Sequence, residues 1–508
     1  MNESAVQRKT APEDRVKLTH RIAYGAGAFV NNILAAASGG MMIVLNLGLG
    51  MNPALVGLLG ALPRLTDAFT DPLMGFISDN TKTRWGRRRP YIFVGAIAAG
   101  LIFALLWQLP RGQSDTFYFV YFLVGSILFY AAYTVFATPW VALGYELTPD
   151  YNERTRLMGT QNFLGQLAYV ISPWFLWFMT NESLFPDQVS GAAWLAILVA
   201  IVAAGLGLLP AIILRERMKT IAIAEAKTGD LSSVDGGTGA AAEGTAGAAK
   251  PASVAEFFRG FGITLSSKPF LKLCVATFLV FNGFMLISSF QFYVIIYYVC
   301  GGDQAMGAKY AGYAGTVSAV CTFVVVIAAT WLGTRVGKRR AFFLTTGISM
   351  LGYALKWICY NPSYPLLVVL PAPLLAFGLG GLFTLMPSMV ADVVDTDELK
   401  TRQRREGMFG SIFWWTVKLG MAAALAGGGY LLNVTGFDVA LGGNQTAQAI
   451  FLMRLFDAGI PIVTSAVAIW AVVSYPITEA KANEVRAELE RRRGKAGLPE
   501  AALEPSAG

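Results

Sequence analysis

The sequence predicts an all-α membrane protein of twelve transmembrane helices in two related six-helix halves, and three observations predict it. Of the 508 residues, 55% are hydrophobic and 14% charged, and apolar runs longer than the ~18 residues that cross a bilayer follow one another along the chain. Lys and Arg gather in alternate loops. A basic segment near residue 84 recurs near residue 335. The mean hydropathy is +0.52, and the 54 Gly and 22 Pro suit helices that pack closely and bend in lipid. Strands of a lipid-facing barrel would alternate in short runs, and these do not.

Apolar windows place six spans at 20–48, 53–79, 88–110, 116–146, 157–180 and 191–214. Six more fall at 269–300, 307–334, 340–361, 364–393, 407–433 and 448–475. The chain therefore divides into an N-tail (1–19), an N-terminal bundle (20–215), a linker (216–253), a C-terminal bundle (254–476) and a C-tail (477–508). Basic residues fill the N-tail (Arg8, Lys9, Arg15, Lys17) and the even-numbered connections, with Arg111 and Lys309 nearly alone opposite. That bias puts both termini on the cytoplasmic side of a plasma membrane. The first 17 residues are polar and mixed in charge, so span one is expected to act as its own insertion signal. GDLSSVDGGTGAAAEGTAGAAKPAS in the linker has too little apolar surface to fold and reads as a flexible tether. VAEFFRGF after it reads as a short interfacial helix with Phe257, Phe258 and Phe261 on one side, and the ERRRGKAG tail as charged and frayed.

The repeat fixes the two halves. RWGRRRPYIF at 84–93 aligns with RVGKRRAFFL at 335–344, an offset of 251 that also pairs Arg154 with Arg405 and Gly159 with Gly410. A parallel duplication places a solute site between halves. The net charge of +8 is spread as topology signals rather than as a nucleic-acid surface. Cys274, Cys300, Cys321 and Cys359 stand singly, and His20 is the only histidine, so neither a metal site, a disulfide framework nor an enzyme's catalytic cluster is expected.

Span two carries the chemistry. LPRLTDAFTDPLMGFISDN sets Asp67 and Asp71 at i and i+4, on one helix face with Arg64. At ~1.5 Å rise per residue, Asp67 lies roughly 18 Å from Asp79, near the middle of a ~30 Å hydrocarbon slab. Acids at that depth mark an ion or substrate pathway, or a salt bridge with a named partner. The same offset of 251 sets Ser318 and Thr322 opposite them, so the acids are no part of the repeated scaffold. Lys418, halfway along span eleven, completes the charge balance. Two ions fit: Na⁺, held by the carboxylates and hydroxyls such as Thr70 or Thr134, or H⁺ on one acid of raised pKa. A structural cluster of ion pairs is the other reading.

Trp414 and Trp415 lie within one turn of Lys418, and Trp140 follows Pro139 in span four. Aromatic faces stack on sugar rings, and they also pack helices. With Phe383, these are candidate substrate contacts. Asn31, Asn32, Gln161, Asn162, Gln166, Asn282 and Gln291 are polar residues for a cavity lining or for interhelical hydrogen bonds. Arg454 and Asp457, at i and i+3, read as a mutually neutralising pair. The repeated basic loop reads as a conformational latch. In it Arg84, Arg87, Arg88 and Arg89 bond helix-end carbonyls and Asp79, and the second half uses Asp392, Asp395 or Asp397, with Arg405 nearby.

DAFTDPLMGFISDNTKTRWGRRRPYI, then YTVFATPW, ERTRLMG and ADVVDTDELKTRQRREG with a lysine in the next span, resemble the glycoside-pentoside-hexuronide:cation symporters, the melibiose-permease-like carriers of the major facilitator superfamily. The resemblance spans about residues 20–475. It implies a twelve-transmembrane-helix major facilitator fold, and a cation site of Asp67, Asp71, Thr134 and Lys418. Where melibiose carriers of the family use an acid in span one, an acid in span four and an arginine in span five, this chain has Asn32, Ala137 and Asn162. Substrate contacts are thereby expected from Asn32, Arg64, Trp140, Asn162, Phe383, Trp414 and Trp415. Thr70 stands where sodium-coupled relatives have asparagine, which leaves H⁺ open. The expected activity is cation-coupled symport of a sugar or glycoside by a monomer in the lipid bilayer, with no cofactor beyond H⁺ or Na⁺ and no nucleic-acid partner. A lysolipid or other apolar solute is the alternative cargo.

Overall fold

The structure, a computed structural model, describes residues 15–81, 83–148, 151–216, 262, 264–402 and 406–492. Among the described residues, ten helices are long and apolar enough to cross a membrane. Two more long helices, Pro53–Asn80 and Tyr151–Ile171, fall short of that composition because they carry the acids and arginines singled out above. In chain order, span one is Leu18–Gly40 continued by Ile43–Leu47, span two Pro53–Asn80, span three Arg89–Leu106 and span four Asp115–Glu146. Span five is Tyr151–Ile171 continued to Met179, and span six is Gln188–Ile213. Span seven is Lys268–Tyr293 with a π-helical end, Val294–Val299. Spans eight to twelve are Gln304–Val336, Lys338–Cys359, Ala372–Thr401, Glu406–Val434 and Ala447–Val473.

Local chemistry sets these boundaries. Span two starts where the Asn52 carboxamide accepts the Ala54 N–H at 2.9 Å and Pro53 occupies the first turn. Ser114 and Asp187 cap spans four and six the same way. Pro173 cannot donate to the preceding turn, and span five tightens into a 3₁₀ segment, Ser172–Trp174, before resuming at Phe175. The repeated loops turn on equivalent glycines with left-handed backbone, Gly86 at φ 119° and Gly337 at φ 84°.

The helices gather into two compact units, one of 1–248, 295–319 and 425–446 and one of 249–294, 320–424 and 447–508. In the first, span one packs on spans five and six, and span three on spans four and six. In the second, span seven packs on span twelve, and span nine on spans ten and twelve. The pairs three–four, three–six and one–six thus recur as nine–ten, nine–twelve and seven–twelve, as a parallel duplication requires. The buried core of the second unit is largely aromatic and branched aliphatic, centred on Phe270, Phe281, Phe342, Met386, Phe409 and Phe413.

One expectation needs correcting. The C-tail begins as a helix, Glu479–Arg492, which packs on span ten and buries Val485 and Leu489. It has few apolar residues, and only this i, i+4 pair signals its contact face. The tether sequence, the VAEFFRGF segment, Arg405 and the end of the C-tail lie outside the described residues.

Candidate functional site

Span four delivers Thr134 to Asp71. The Thr134 hydroxyl donates to Asp71 Oδ1 at 2.9 Å, and Thr70 Oγ1 lies 3.5 Å from Thr134 Oγ1. Thr134 is buried and Asp71 half-buried. A carboxylate and two hydroxyls, all oxygen, therefore meet between two apolar helices. Such a set holds a hard cation through oxygen, or a proton on the carboxyl group. Asp67 sits one turn earlier on span two, and its side chain lies outside the described atoms. Lys418 is half-buried in the second unit, one turn beyond Trp414.

Around this centre the first unit is tied by a cation–π contact and by neutral polar groups. The Arg64 guanidinium lies 4.6 Å from the centroid of the Tyr130 ring, and the Tyr130 and Ser38 hydroxyls are 3.0 Å apart. Tyr133 donates its hydroxyl to Asn31 Oδ1 at 2.7 Å, Asn31 Nδ2 to Asn32 Oδ1 at 3.2 Å, and Asn32 Nδ2 to the Gly165 carbonyl at 3.0 Å. This chain joins spans four, one and five. Asn32 thereby spends its amide on helix contacts, and Asn162 is exposed on span five.

Trp140 is a correction. It is 2% exposed, its indole N–H donates to the Tyr24 carbonyl at 3.1 Å, and its ring stacks on Phe136 and tilts against Tyr24. Its face is covered by helix packing and offers no sugar platform. The second unit leaves an aromatic pair more open. Trp414 is 53% exposed and stacks on Phe383 with ring centroids 6.0 Å apart, while Phe281 and Phe413 brace the pair edge-on. Trp415 is exposed beside it.

The pairing expected of Arg454 and Asp457 is also corrected. Asp457 bonds Lys356 Nζ at 2.8 Å, with the two side chains 2% and 1% exposed. The ammonium also sits 5.3 Å from the Tyr360 ring and 5.9 Å from the Tyr353 ring. Arg454 lies over Trp357 at 4.5 Å and donates to its carbonyl at 2.8 Å. Lys356 escaped notice because it stands three residues from the end of span nine, where a lysine ordinarily reaches for water.

The basic loops, expected to act as latches, bond to partners inside their own halves. Arg87 and Arg88 converge on Glu146 at the end of span four, and Arg88 also donates to the Ala142 carbonyl. Arg89 donates to the Ala211 and Ile212 carbonyls of span six. The Glu216 carboxylate accepts the Arg87 and Arg88 backbone N–H groups at 2.9 and 2.8 Å. In the second half Lys338 bonds Asp392 at 2.7 Å, and Arg339 donates to the Tyr475 carbonyl at 3.2 Å. Asp392 is an expected partner; Glu146 and Glu216 are not. Arg84 is exposed, Asp395 follows Asp392 on the next turn, and the Asp79 side chain lies outside the described atoms.

Comparison with known proteins agrees with this architecture. The chain is 24% identical to the glucuronide carrier protein homolog of Escherichia coli (strain K12), across 93% of this chain and 95% of that one. It is 23% identical to the isoprimeverose transporter of Lactiplantibacillus pentosus, across 94% and 93%. Among solved structures it is similar to a bacterial homolog of the human lysosomal transporter Spinster, with a TM-score of 0.59 and 15% identity over 93% of this chain and 97% of that one. That likeness concerns the fold. Residues 23–237 and 241–479 match the MFS/sugar transport protein family, and the chain belongs to it.

Proposed function

We propose that the protein is a secondary transporter that carries a sugar or glycoside inward, together with H⁺ or Na⁺, by alternating access across the inner membrane of a bacterium. The family's members are transporters, and two similar proteins are named for a glucuronide and for isoprimeverose. The observation that carries the reading is the oxygen cluster of Asp71, Thr134 and Thr70 inside apolar helices. The cation occupies that cluster with Asp67. The sugar is read by the Trp414–Phe383 stack. Both termini face the cytoplasm, the working unit is a monomer, and no cofactor beyond the ion takes part. Coupling follows when ion and sugar each favour the same conformation, because linkage is reciprocal.

The test is ion movement triggered by sugar. Cells expressing the protein are given a panel of neutral glycosides, uronides and monosaccharides while external pH and Na⁺ are recorded. A sugar-triggered alkalinisation or Na⁺ uptake that disappears in Asp71→Asn is the expected result. Silence across the panel with a folded, inserted protein would overturn the sugar reading in favour of an amphipathic cargo.

A further inference from the structure

The break in span five is finished by a residue of span eight. A helix interrupted inside a bilayer needs partners for its freed backbone groups. Thr316 meets the break on both sides: its hydroxyl donates to the Val170 backbone carbonyl at 3.3 Å and accepts the Trp174 side-chain indole N–H at 2.8 Å. The surfaces beneath are shaped for this approach. A Cβ at Gly315 would stand 2.5 Å from Pro173 Cβ, and one at Gly312 would stand 3.2 Å from the Trp174 ring. Tyr313 closes the edge, its ring 5.3 Å from that of Trp174. The same compact unit holds a second close seam, where a Cβ at Gly429 would stand 3.1 Å from the Gly57 Cα and where Asn433 Nδ2 donates to Asn52 Oδ1 at 2.7 Å.

We propose that the Thr316 hydroxyl is the catch of an outer gate, holding the broken tip of span five against span eight while the solute site is closed to the outside. The orientation of the spans, and so the word outer, rests on the transporter reading above. One hydroxyl that both donates and accepts makes and loses its two bonds together, so the docked state is set apart from the open one by a single side chain. Opening the gate leaves the Val170 carbonyl and the Trp174 indole to water in the solute path. Thr316 is a positioning residue and touches no substrate.

The full chain, with its four native cysteines replaced by serine, is given a reporter cysteine at Gln166, one turn before Val170 on the inner side of the seam. A membrane-impermeant maleimide is added outside intact cells. Thr316→Val keeps the shape, loses both bonds, and is expected to raise the labelling rate about tenfold. Thr316→Ser restores the parental rate, and Trp174→Phe, which loses one bond, falls between. Parental labelling in Thr316→Val, or no rescue by Thr316→Ser, would overturn the gate. If Thr316→Val does not reach the membrane, Trp174→Phe is judged alone by its smaller rise over the parent, and parental labelling there would overturn the gate. Labelling needs no solute, so a parent that moves no sugar would break the transport reading and leave this result standing.

Discussion

Asp71 and Asp457 both sit inside long apolar helices, and the protein keeps them in opposite ways. Asp457 is closed off. A lysine ammonium cancels its charge at 2.8 Å, and both partners are almost fully buried among tyrosine rings. Asp71 receives its described bond from a neutral hydroxyl, Thr134, with a second hydroxyl close by. Under the proposed function Asp457 is a bolt between helices and Asp71 part of a seat for a cation, although both read in sequence as an acid in lipid.

The sharpest way to break that comparison is to remove each charge in turn. Asp71→Asn keeps the shape of the seat and removes its charge. Uphill accumulation should fall to a ratio of about one, while downhill exchange of the same sugar continues, since coupling and translocation are separate quantities. Vesicle uptake with and without an imposed ion gradient measures both. Full accumulation in this variant would mean that Asp71 is as inert to transport as a bolt. Lys356→Met addresses the other acid. It strands a buried carboxylate and should destabilise the protein by about 3–5 kcal/mol, whereas Lys356→Met with Asp457→Leu should recover most of that loss. Thermal melting in detergent reads the stability, and uptake by the double variant reads the role. A stable double variant without coupling would show that the second pair also serves the ion.

A smaller change sharpens the description of the seat. Thr134→Val removes one hydroxyl donor to Asp71 and should weaken ion dependence roughly tenfold at half-saturation. Thr134→Ser should restore it. Equal ion dependence in the valine variant would take Thr134 out of the cation site and leave it as a helix contact.

Much of the fold was legible because a membrane span is a compositional signal of about twenty residues. Spans two and five stood out less by composition, and the charges that lower their hydropathy are the ones that made span two informative. Asp71 was legible because its i, i+4 relation to Asp67 is local. Contacts across long sequence separations were not. Asp457 finds Lys356, 101 residues away, while Arg454 offered a nearer false partner. Arg87 finds Glu146 and Glu216 across 59 and 129 residues. The repeat located both basic loops and the glycines that turn them, because backbone geometry follows the duplication; the acids that answer the loops sit at different registers in the two halves. Trp140 shows the limit for aromatics. A tryptophan beside a proline in an apolar helix has the same sequence signature whether it meets a ligand or, as here, Tyr24 and Phe136.

The mildest prediction concerns a third carboxylate, Glu153, in the first turn of the span-five helix and ahead of the apolar stretch that begins near residue 157, where it answers to pH. Glu153 is buried at the foot of the first unit, and burial alone would push its carboxyl group up. The Val16 backbone N–H at 3.0 Å and the Arg156 and Arg21 guanidinium groups at 2.8 and 2.6 Å outweigh that and hold it below its ordinary value. A carboxyl group whose pKa is lowered on folding adds stability above its unfolded value of ~4.3, and that stability is lost as pH falls through the lower folded value. Wild type should therefore melt higher than Glu153→Gln at pH 7, and the gap should narrow as the pH is taken below about 4. A gap that stays constant down to the lowest pH at which the protein remains soluble would mean that Glu153 acts by shape and neutral hydrogen bonds. The N-terminal end of span one would then be pinned by contacts that no proton releases.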